Sequence, residues 1–437
     1  MNLVYGIKDR PKFGQTIVFA LQQLLAIMAA TIAVPSIIGN GMSQTAALFG
    51  AGVGTLVYLL FTRFRSPVFL GSSFAFLGSM ATAFAGAISL QVGYLGLVIG
   101  AAFAGLVYVV LAIAVKAAGV KWIDKIMPPV VIGPTVAIIG LSLSGNAVGD
   151  LVTATAGGST YLALICGLVT LAVTMLCSVF GKKMLKMIPF IIGILAGYVL
   201  ALIFTLIGRA TGNDALLIIN LDLFKTIQWI PDFTFVQALK GVKDIDGAYI
   251  ATIAVAYVPV AFVVFAEHIA DHKNLSSIIG TDLLEDPGLH RTLLGDGIGS
   301  IAGAIFGGCP NTTYGESIGC VAISGNASVV TILATAILAI VISFFGPFAM
   351  FLASIPNCVM GGVCISLYGF IATSGLKMIQ AVDLNENRNL FVVCVILIAG
   401  VGGLTVSFGQ VTITSIACAL ILGILTNVML SGKKKAE

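Results

Sequence analysis

The chain has 437 residues, of which 59% are hydrophobic and 9% charged, with a formal net charge of +4. A soluble domain carries roughly 25% charged residues, so this composition excludes a soluble protein and indicates one that crosses a membrane many times. The small net charge gives no reason to expect nucleic acid as a partner. All eight cysteines lie in apolar stretches without a C-x-x-C pair, which argues against a disulfide or metal framework.

Apolar stretches long enough to cross a bilayer recur along the whole chain. Charged residues precede the first stretch and no small-residue cleavage site follows it, so no cleaved signal peptide is expected. Several stretches are short, and two are interrupted by polar, glycine or proline residues. The fourteen predicted crossings fall near 15–36, 45–62, 67–88, 93–115, 127–146, 159–180, 187–208, 248–270, 292–308, 310–326, 327–348, 355–375, 389–406 and 410–431.

The placement of basic residues supports this count. If the N-terminus is cytoplasmic, all but four of the 22 Lys and Arg residues fall in inner loops. The four exceptions share one long outer loop, about 209–247, and long loops follow the positive-inside rule poorly. An error of one crossing would reverse the bias, so both termini are predicted to be cytoplasmic.

A short motif occurs twice in the chain. Pro128-x-x-Val131-x-Gly133 opens the fifth predicted crossing, and Pro356-x-x-Val359-x-Gly361 opens the twelfth. Seven crossings separate the two copies, and an odd number inverts the second copy relative to the first. Inverted repeats are typical of secondary transporters. Chance recurrence in a glycine-rich chain is the alternative.

The stretch 307–328 cannot form an ordinary membrane helix in its first half. Gly307, Gly308 and Pro310 interrupt it, and Asn311 and Glu316 are polar. We expect an extended segment from about 308 to 314 and a helix from about 316, whose N-terminus points at a ligand near mid-membrane.

The repeat predicts a partner for this stretch seven crossings earlier, and residues 66–76 fit. They run from Pro67 through the small residues Gly71, Ser72 and Ser73 to Phe74. The two extended pieces should pair antiparallel, so that two half-helices meet from opposite sides near the midplane. Such a site suits a compact, planar solute that forms hydrogen bonds.

Four acidic residues fall in or against predicted crossings, where a carboxylate is costly. Asp271 follows Glu267 at i+4 on one helix face, Glu316 begins the predicted half-helix, and Asp296 is the fourth. We expect Glu316 to be an ionised hydrogen-bond acceptor, and Glu267 or Asp271 to carry an exchangeable proton. The alternative for all four is a purely structural bond to a neighbouring helix.

A metal site is not predicted. His268 and His272 also have i, i+4 spacing, but the chain offers no third ligand cluster and no H-E-x-x-H motif. The chain also offers no nucleophile with its base, so an intramembrane enzyme is not expected.

Three motifs carry a resemblance to the uracil-permease branch of the nucleobase/ascorbate transporter family. They are Glu267-His268-Ile269, residues 286–291 (D-P-G-L-H-R) and residues 310–316 (P-N-T-T-Y-G-E). Residues 71–76 and 367–369 also fit, and the similarity runs from about Gln15 to Leu430.

The resemblance implies an all-α, polytopic fold with 14 transmembrane segments in a 7+7 inverted repeat. Segments 3 and 10 would be broken helices joined by short antiparallel strands. A core domain would comprise 1–122 and 248–350, a gate domain 123–208 and 351–437, with 209–247 as the outer loop. The implied activity is proton-coupled uptake of uracil across the bacterial cytoplasmic membrane, without a cofactor, in a lipid-embedded protein that dimerises through its gate.

Residue by residue, the resemblance places Glu267 and Glu316 on the polar edges of the base. Backbone groups of Phe74 and Gly315 would add hydrogen bonds, with Ser73 beside them. Ala30 and Tyr314 would wall the pocket and Tyr368 would close it from the gate.

The chain departs from the family pattern at four positions. Asp271 stands where relatives carry a His thought to help proton coupling, and Gln23 replaces a His. Ser317 replaces an Asn, and Cys309 replaces a Pro. Asp271 can still exchange a proton, but Na⁺ as coupling ion stays open. Xanthine, uric acid or another pyrimidine is the alternative substrate, and an anion carrier of a related fold is a further alternative, disfavoured by two pocket carboxylates.

Overall fold

Helices dominate the computed structural model, which describes residues 3–182, 185, 188–225, 227, 229–408 and 411–431. Some of the lysines that the predicted topology assigns to the inner side lie outside the described residues, namely Lys183, Lys186 and Lys433 to Lys435. The helices of the first half are α1 Phe13–Ile38, α2 Gln44–Phe61, α3 Leu77–Ala85, α4 Leu90–Ala118, α5 Lys121–Ile126, α6 Pro129–Ser142, α7 Ser144–Leu151, α8 Thr160–Phe180 and α9 Pro189–Thr211.

The second half of the chain is also mainly helical. Its helices are α10 Thr234–Gly241, α11 Gly247–Ile279, α12 Leu289–Gly307, α13 Gly315–Ser324, α14 Val329–Ile342, α15 Gly346–Ser354, α16 Asn357–Ile379, α17 Asn387–Val401 and α18 Ser415–Met429. In the described part of the chain, four strands of three residues interrupt the helical pattern: β1 Leu70–Ser72, β2 Asn311–Thr313, β3 Val406–Phe408 and β4 Val411–Ile413.

Each of the fourteen predicted crossings overlaps a helix. Within the described residues, eight helices are long and apolar enough to cross a membrane, if α6 and α7 are counted as one helix, Pro129–Leu151. A ninth candidate is the pair α14 and α15, which bends by 86° at its break. The molecule is therefore a multi-pass membrane protein, while the count of fourteen stays a prediction.

The predicted crossings 389–406 and 410–431 are wrong at the ends that face each other. Helix α17 ends at Val401, Gly403 takes a φ of +72°, and α18 begins only at Ser415. Between them β3 and β4 pair antiparallel, with Val406 opposite Ile413. Glycines end the first helix, and the β-branched residues that follow favour a strand.

The long connection 209–247 contains local structure of its own. Helix α10 packs against α4. The Thr205 hydroxyl accepts the N–H groups of Ile218 and Ile219 at 3.1 and 3.0 Å, which ties the start of the connection to α9.

The helices pack in two sets. In the first set, α12 packs against α2 and α4, α11 against α4, and α14 against α1 and α2. In the second, α16 packs against α6, α7 and α8, α8 against α9, and α17 against α6 and α18. Glycines allow the closest approach, since a Cβ at Gly375 of α16 would overlap the backbone of Gly133 and Ala137 in α6.

The predicted antiparallel pairing of residues near 70 and 312 is confirmed. Leu70 lies opposite Thr313, Gly71 opposite Thr312 and Ser72 opposite Asn311, and all six residues are buried. The pairing extends by one bond, from the Ser73 N–H to the Pro310 carbonyl at 2.9 Å. Helices α3 and α13 therefore leave the strand pair in opposite directions.

Candidate functional site

Helix α13 begins at the end of β2, and this junction places Glu316 in the first helical turn. Gly308 has a φ of +76° and Pro310 lacks an N–H, so the chain cannot continue α12 through this point. Tyr314 remains extended, and its carbonyl accepts the Ile318 N–H at 3.2 Å. The first N–H groups of a helix have no acceptor within the helix, so this end favours a hydrogen-bond acceptor or an anion.

A cavity of about 420 Å³ lies at this junction, between the two sets of helices. Its volume is in the range of small-molecule sites. Glu267 and Asp271 face it from α11, and Glu316 from α13. We call it the acid cavity; residues that line it are Ala26, Phe74, Val136, Ser178, Pro189, Phe190, Glu267, Ala270, Asp271, Asn274, Thr312, Thr313, Tyr314, Gly315, Glu316, Gly319, Cys320, Ile323, Phe370, Ile371, Ser374 and Lys377.

Six predicted site residues meet in this cavity: Glu267, Asp271, Glu316, Gly315, Phe74 and Tyr314. The three carboxylates are half-buried and Gly315 is exposed to the cavity. The Thr313 hydroxyl donates to Asp271 Oδ2 at 2.6 Å, which fixes one oxygen of that carboxylate. The Tyr314 hydroxyl donates to the Ser72 carbonyl at 2.7 Å, which fixes its ring against β1.

Three other predicted residues lie outside the lining. Ala30 is fully buried in α1, and Ala26, one helical turn earlier, lines the cavity instead. Ser73 is buried next to the strand pair. Tyr368 is buried and packs edge-on against Phe74, with 5.4 Å between ring centroids.

Sequence reasoning missed several polar residues of the cavity. Thr312 and Thr313 interrupt an apolar stretch, and that signal could have assigned them to the site. Asn274, Ser374 and Lys377 lie near helix ends, where polar residues are common, so nothing in the sequence distinguishes them.

Two of the departures from the family pattern contact each other. Gln23 Nε2 donates to the Ser317 hydroxyl at 2.5 Å and lies 3.2 Å from the Ser317 carbonyl. The same hydroxyl accepts the Phe69 N–H at 3.3 Å. Ser317 therefore connects the first turn of α13 both to α1 and to the start of β1.

The two histidines lie on the buried side of α11. His272 Nδ1 donates to the His268 carbonyl at 2.8 Å, and His272 Nε2 accepts from the Tyr58 hydroxyl at 2.8 Å. His268 contacts Asp296 Oδ2 through Nδ1 at 2.7 Å and Thr292 through Nε2 at 3.0 Å. These partners occupy both nitrogens of each ring. No group of three or more His, Cys, Asp or Glu suited to a metal occurs in the part of the chain that the structure describes.

A second cavity, of about 580 Å³, lies on the other side of Phe74. Ile37 and Ile38 line it at the end of α1, whereas Ala26 of the same helix lines the acid cavity. At a rise of 1.5 Å per residue, the two positions are about 16 Å apart along the helix axis. Phe74 lines both cavities, and the Tyr368 ring packs edge-on against the Phe74 ring. These two rings therefore separate the second cavity from the acid cavity.

Comparison with known proteins gives a consistent result. The family model Xan_ur_permease, described as "Permease family", matches residues 14–408. The chain is 40% identical to "Uracil permease" of Bacillus caldolyticus, with 99% of this chain and 96% of that protein covered. It is 38% identical to "Uracil permease" of Bacillus subtilis (strain 168), with the same coverage. It is 37% identical to "Uracil permease" of Escherichia coli (strain K12), over 96% of this chain and 92% of that protein.

Solved structures with the same fold share much less sequence. The transmembrane domain of the cyanobacterial bicarbonate transporter BicA has a TM-score of 0.64 at 17% identity, with 96% of this chain and 99% of that chain covered. The murine anion transporter Slc26a9 in its inward-facing state has a TM-score of 0.61 at 13% identity, with 97% and 69% covered. At such identities the likeness concerns the fold alone.

Proposed function

The chain belongs to the permease family, whose members are transporters and not enzymes, and from this premise we propose that it is a proton-coupled uracil symporter that works by alternating access. The observation that carries the proposal is the acid cavity, in which Glu267 and Glu316 face one space at the start of α13. Relatives named uracil permease, covered almost from end to end, supply the substrate class.

The chemistry of the cavity complements a planar lactam. Uracil offers two N–H donors and two carbonyl acceptors in its ring plane. Glu267 and Glu316 can accept the N–H groups, while backbone N–H groups at Gly315 and Phe74 can donate to the carbonyls. Phe74 and Tyr314 supply aromatic surface for the ring faces.

The first test replaces the acceptor at the start of α13. Glu316→Gln keeps the shape of the side chain but removes its charge. One uracil N–H then faces a neutral amide instead of a carboxylate. We expect the binding free energy for uracil to weaken by about 2–4 kcal/mol, which is roughly a 30-fold to 1000-fold loss of affinity. Calorimetry on purified protein measures it. Asp150→Asn in α7 is the matched control and should bind as the parent does. Unchanged affinity in Glu316→Gln would refute this site.

The proposed coupling uses Asp271, with Glu267 beside it. Protonation from outside would neutralise a carboxylate in the cavity, uracil would bind, and the loaded form would reorient. Coupling arises only if the charged empty form and the neutral loaded form differ in their freedom to reorient. Asp271 suits this task because Thr313 bonds its Oδ2 and the carboxylate faces the cavity.

Transport in proteoliposomes tests this coupling. With the same Na⁺ concentration on both sides of the membrane, an inward proton gradient should accelerate uracil uptake and drive accumulation above equilibrium. When the proton gradient is collapsed, uracil should only equilibrate to the same concentration on both sides of the membrane. Uptake that ignores the proton gradient but follows a Na⁺ gradient would reject proton coupling while keeping the substrate assignment.

The proposed architecture is a 7+7 inverted repeat of fourteen segments, with broken helices at segments 3 and 10. Its support is the strand pair β1–β2, from which α3 and α13 leave in opposite directions. The first set of packed helices would be the core domain (1–122 and 248–350) and the second set the gate domain (123–208 and 351–437), which would also form a homodimer in the lipid bilayer. Both termini would be cytoplasmic.

An anion as substrate is the other function that the fold allows, because the solved structures of this fold include anion transporters. Three carboxylates face the acid cavity and Lys377 is its only basic lining residue among those described, so an anion would meet repulsion there. Competitive inhibition of uracil uptake by bicarbonate or sulfate would favour an anion as the substrate. Competition by xanthine or uric acid would instead widen the proposed substrate range within the family.

A further inference from the structure

A third cavity lies behind β2, away from the acid cavity. Its volume is about 10 Å³, close to the space that one water-sized sphere needs. It is lined by residues of α4, α11, α12 and β2, together with Phe76. Thr312 lines both this cavity and the acid cavity, so a single strand separates the two. We call it the strand cavity.

Five oxygen-bearing side chains line the strand cavity: Tyr108, Asp296, Ser300, Asn311 and Thr312. Asp296 and Asn311 are each 1% exposed and Tyr108 is 3% exposed. Asp296 Oδ1, Asn311 Oδ1 and Tyr108 Oη have no hydrogen-bond partner within the described part of the chain. A buried polar atom without a partner costs about 1–3 kcal/mol, and more when it is charged. Three such atoms at one small cavity indicate a bound species.

The positions of these oxygens are held by their surroundings. Asn311 Nδ2 donates to the Gly50 carbonyl at 3.1 Å, which identifies Oδ1 as the free atom of the amide. The amide lies against Gly54 and Gly303, where a Cβ at either position would overlap it. His268 Nδ1 lies 2.7 Å from Asp296 Oδ2, which leaves Oδ1 for the cavity.

The chemistry of this oxygen set favours a small hard cation. Carboxylate, amide and hydroxyl oxygens are ligands of hard ions, and no thiol or imidazole of a described residue lines the cavity. Asp296 is the only carboxylate among the described lining residues, so one positive charge balances it, whereas Ca²⁺ or Mg²⁺ would leave an excess. The described ion pairs give Asp296 no partner other than His268, which is charged only if protonated.

We propose that the strand cavity binds one Na⁺ ion through Asp296, Asn311 and Tyr108, with Ser300 and Thr312 completing the coordination. The ion would stay with the protein during transport, because packed side chains enclose it and β2 separates it from the acid cavity. It would hold β2 in place, and with it the Thr313 hydroxyl that bonds Asp271. This role does not depend on which solute the acid cavity takes.

The test is binding of radioactive Na⁺ to the purified chain in choline chloride buffer at constant ionic strength. The parent should bind one Na⁺ per chain saturably, and excess uracil should not displace it. Asp296→Asn should weaken the binding at least about tenfold, since it removes the only charged ligand. Ser300→Ala removes one neutral ligand and should weaken it by a smaller factor, which keeps the test valid if Asp296→Asn does not fold.

Asp271→Asn is the matched control, because it removes a carboxylate from the acid cavity across the strand. It should retain Na⁺ binding in full. Loss of binding in Asp271→Asn with retention in Asp296→Asn would place Na⁺ in the acid cavity and overturn the proposal. Absence of saturable Na⁺ binding by the parent would also overturn it, and would assign the strand cavity to a water molecule or to a proton on Asp296.

Discussion

The structure fixes one oxygen of the Asp271 carboxylate. Its Oδ2 accepts a hydrogen bond from Thr313 at 2.6 Å, and the carboxylate faces the acid cavity one helical turn from Glu267. An asparagine at this position keeps an oxygen for the Thr313 hydroxyl but cannot exchange a proton. The substitution therefore separates the geometry of the site from the proposed proton coupling.

For Asp271→Asn we expect uracil exchange to continue while gradient-driven accumulation is lost. The ratio of internal to external uracil should fall to about one, because a ligand that affects both orientations equally shifts no equilibrium. Exchange and net accumulation are measured in the same proteoliposomes, with Asp150→Asn as control. Accumulation that persists in Asp271→Asn would move the coupling role to Glu267 or to another group.

The acidic residues were predictable because charge in an apolar sequence is conspicuous, whereas their apolar surroundings were not. Glu267, Asp271 and Glu316 line the acid cavity as expected. Phe190 and Phe370 line it from the second set of helices, and no feature of those apolar stretches indicates which face points inward. The contact between Gln23 and Ser317 joins residues far apart in the chain, so only the fold could reveal it.

At the scale of single elements, the strand pair depends on one close approach. A Cβ at Gly71 would overlap the Tyr314 ring, whose hydroxyl is bonded to the neighbouring Ser72 carbonyl. Because that bond and the packing around β1 hold the ring, it cannot move aside without cost. Only glycine at position 71 therefore leaves room for the Tyr314 ring to pack against β1, just before α13 begins.

Gly71→Ala should lower the free energy of unfolding by about 1–3 kcal/mol through overpacking. It should also weaken uracil binding, since Tyr314 and Gly315 shift with the ring. Thermal unfolding and calorimetry of the purified variant measure the two effects. The control is Gly78→Ala in α3, where the new Cβ would lie 3.5 Å from Thr414, an ordinary contact. Equal behaviour of the two variants would show that the Tyr314 approach does not matter.

Breaks at which polar residues accompany glycine and proline were predictable, while breaks in otherwise apolar stretches were not. Gly308 and Pro310 indicate the end of α12 in the sequence, next to polar residues. The repeated motif predicted the pairing of β1 with β2. The strand pair β3–β4 consists of residues as apolar as a helix, so hydropathy alone extended both neighbouring helices through it. The 86° bend between α14 and α15 was also missed, because Gly346 and Pro347 at the start of α15 lie among phenylalanines in an apolar stretch.

For the whole molecule, the important feature is the pair of cavities separated by Phe74 and Tyr368. The acid cavity extends to Ser374 and Lys377, near the predicted cytoplasmic end of α16. The second cavity is lined by Ile37 and Ile38, at the predicted outer end of α1. With this orientation, a substrate in the acid cavity would be reached from the cytoplasm in this conformation. The proposed alternating access would then require the two sets of helices to move relative to each other.

A cysteine at the exposed Ser374 tests this access, with Cys394, the one cysteine exposed among those described, replaced by Ser. A membrane-impermeant maleimide should label Ser374→Cys in inside-out vesicles and not in right-side-out vesicles, because the acid cavity would open only inward. Saturating uracil should slow the labelling, since the ligand fills the space beside this helix. Ser415→Cys, at the second cavity, should show the opposite sidedness. Each variant serves as the control for the other. Labelling of both cysteines from the same side of the membrane would reject the predicted orientation of the helices. It would also reject the assignment of the acid cavity as open to the cytoplasm.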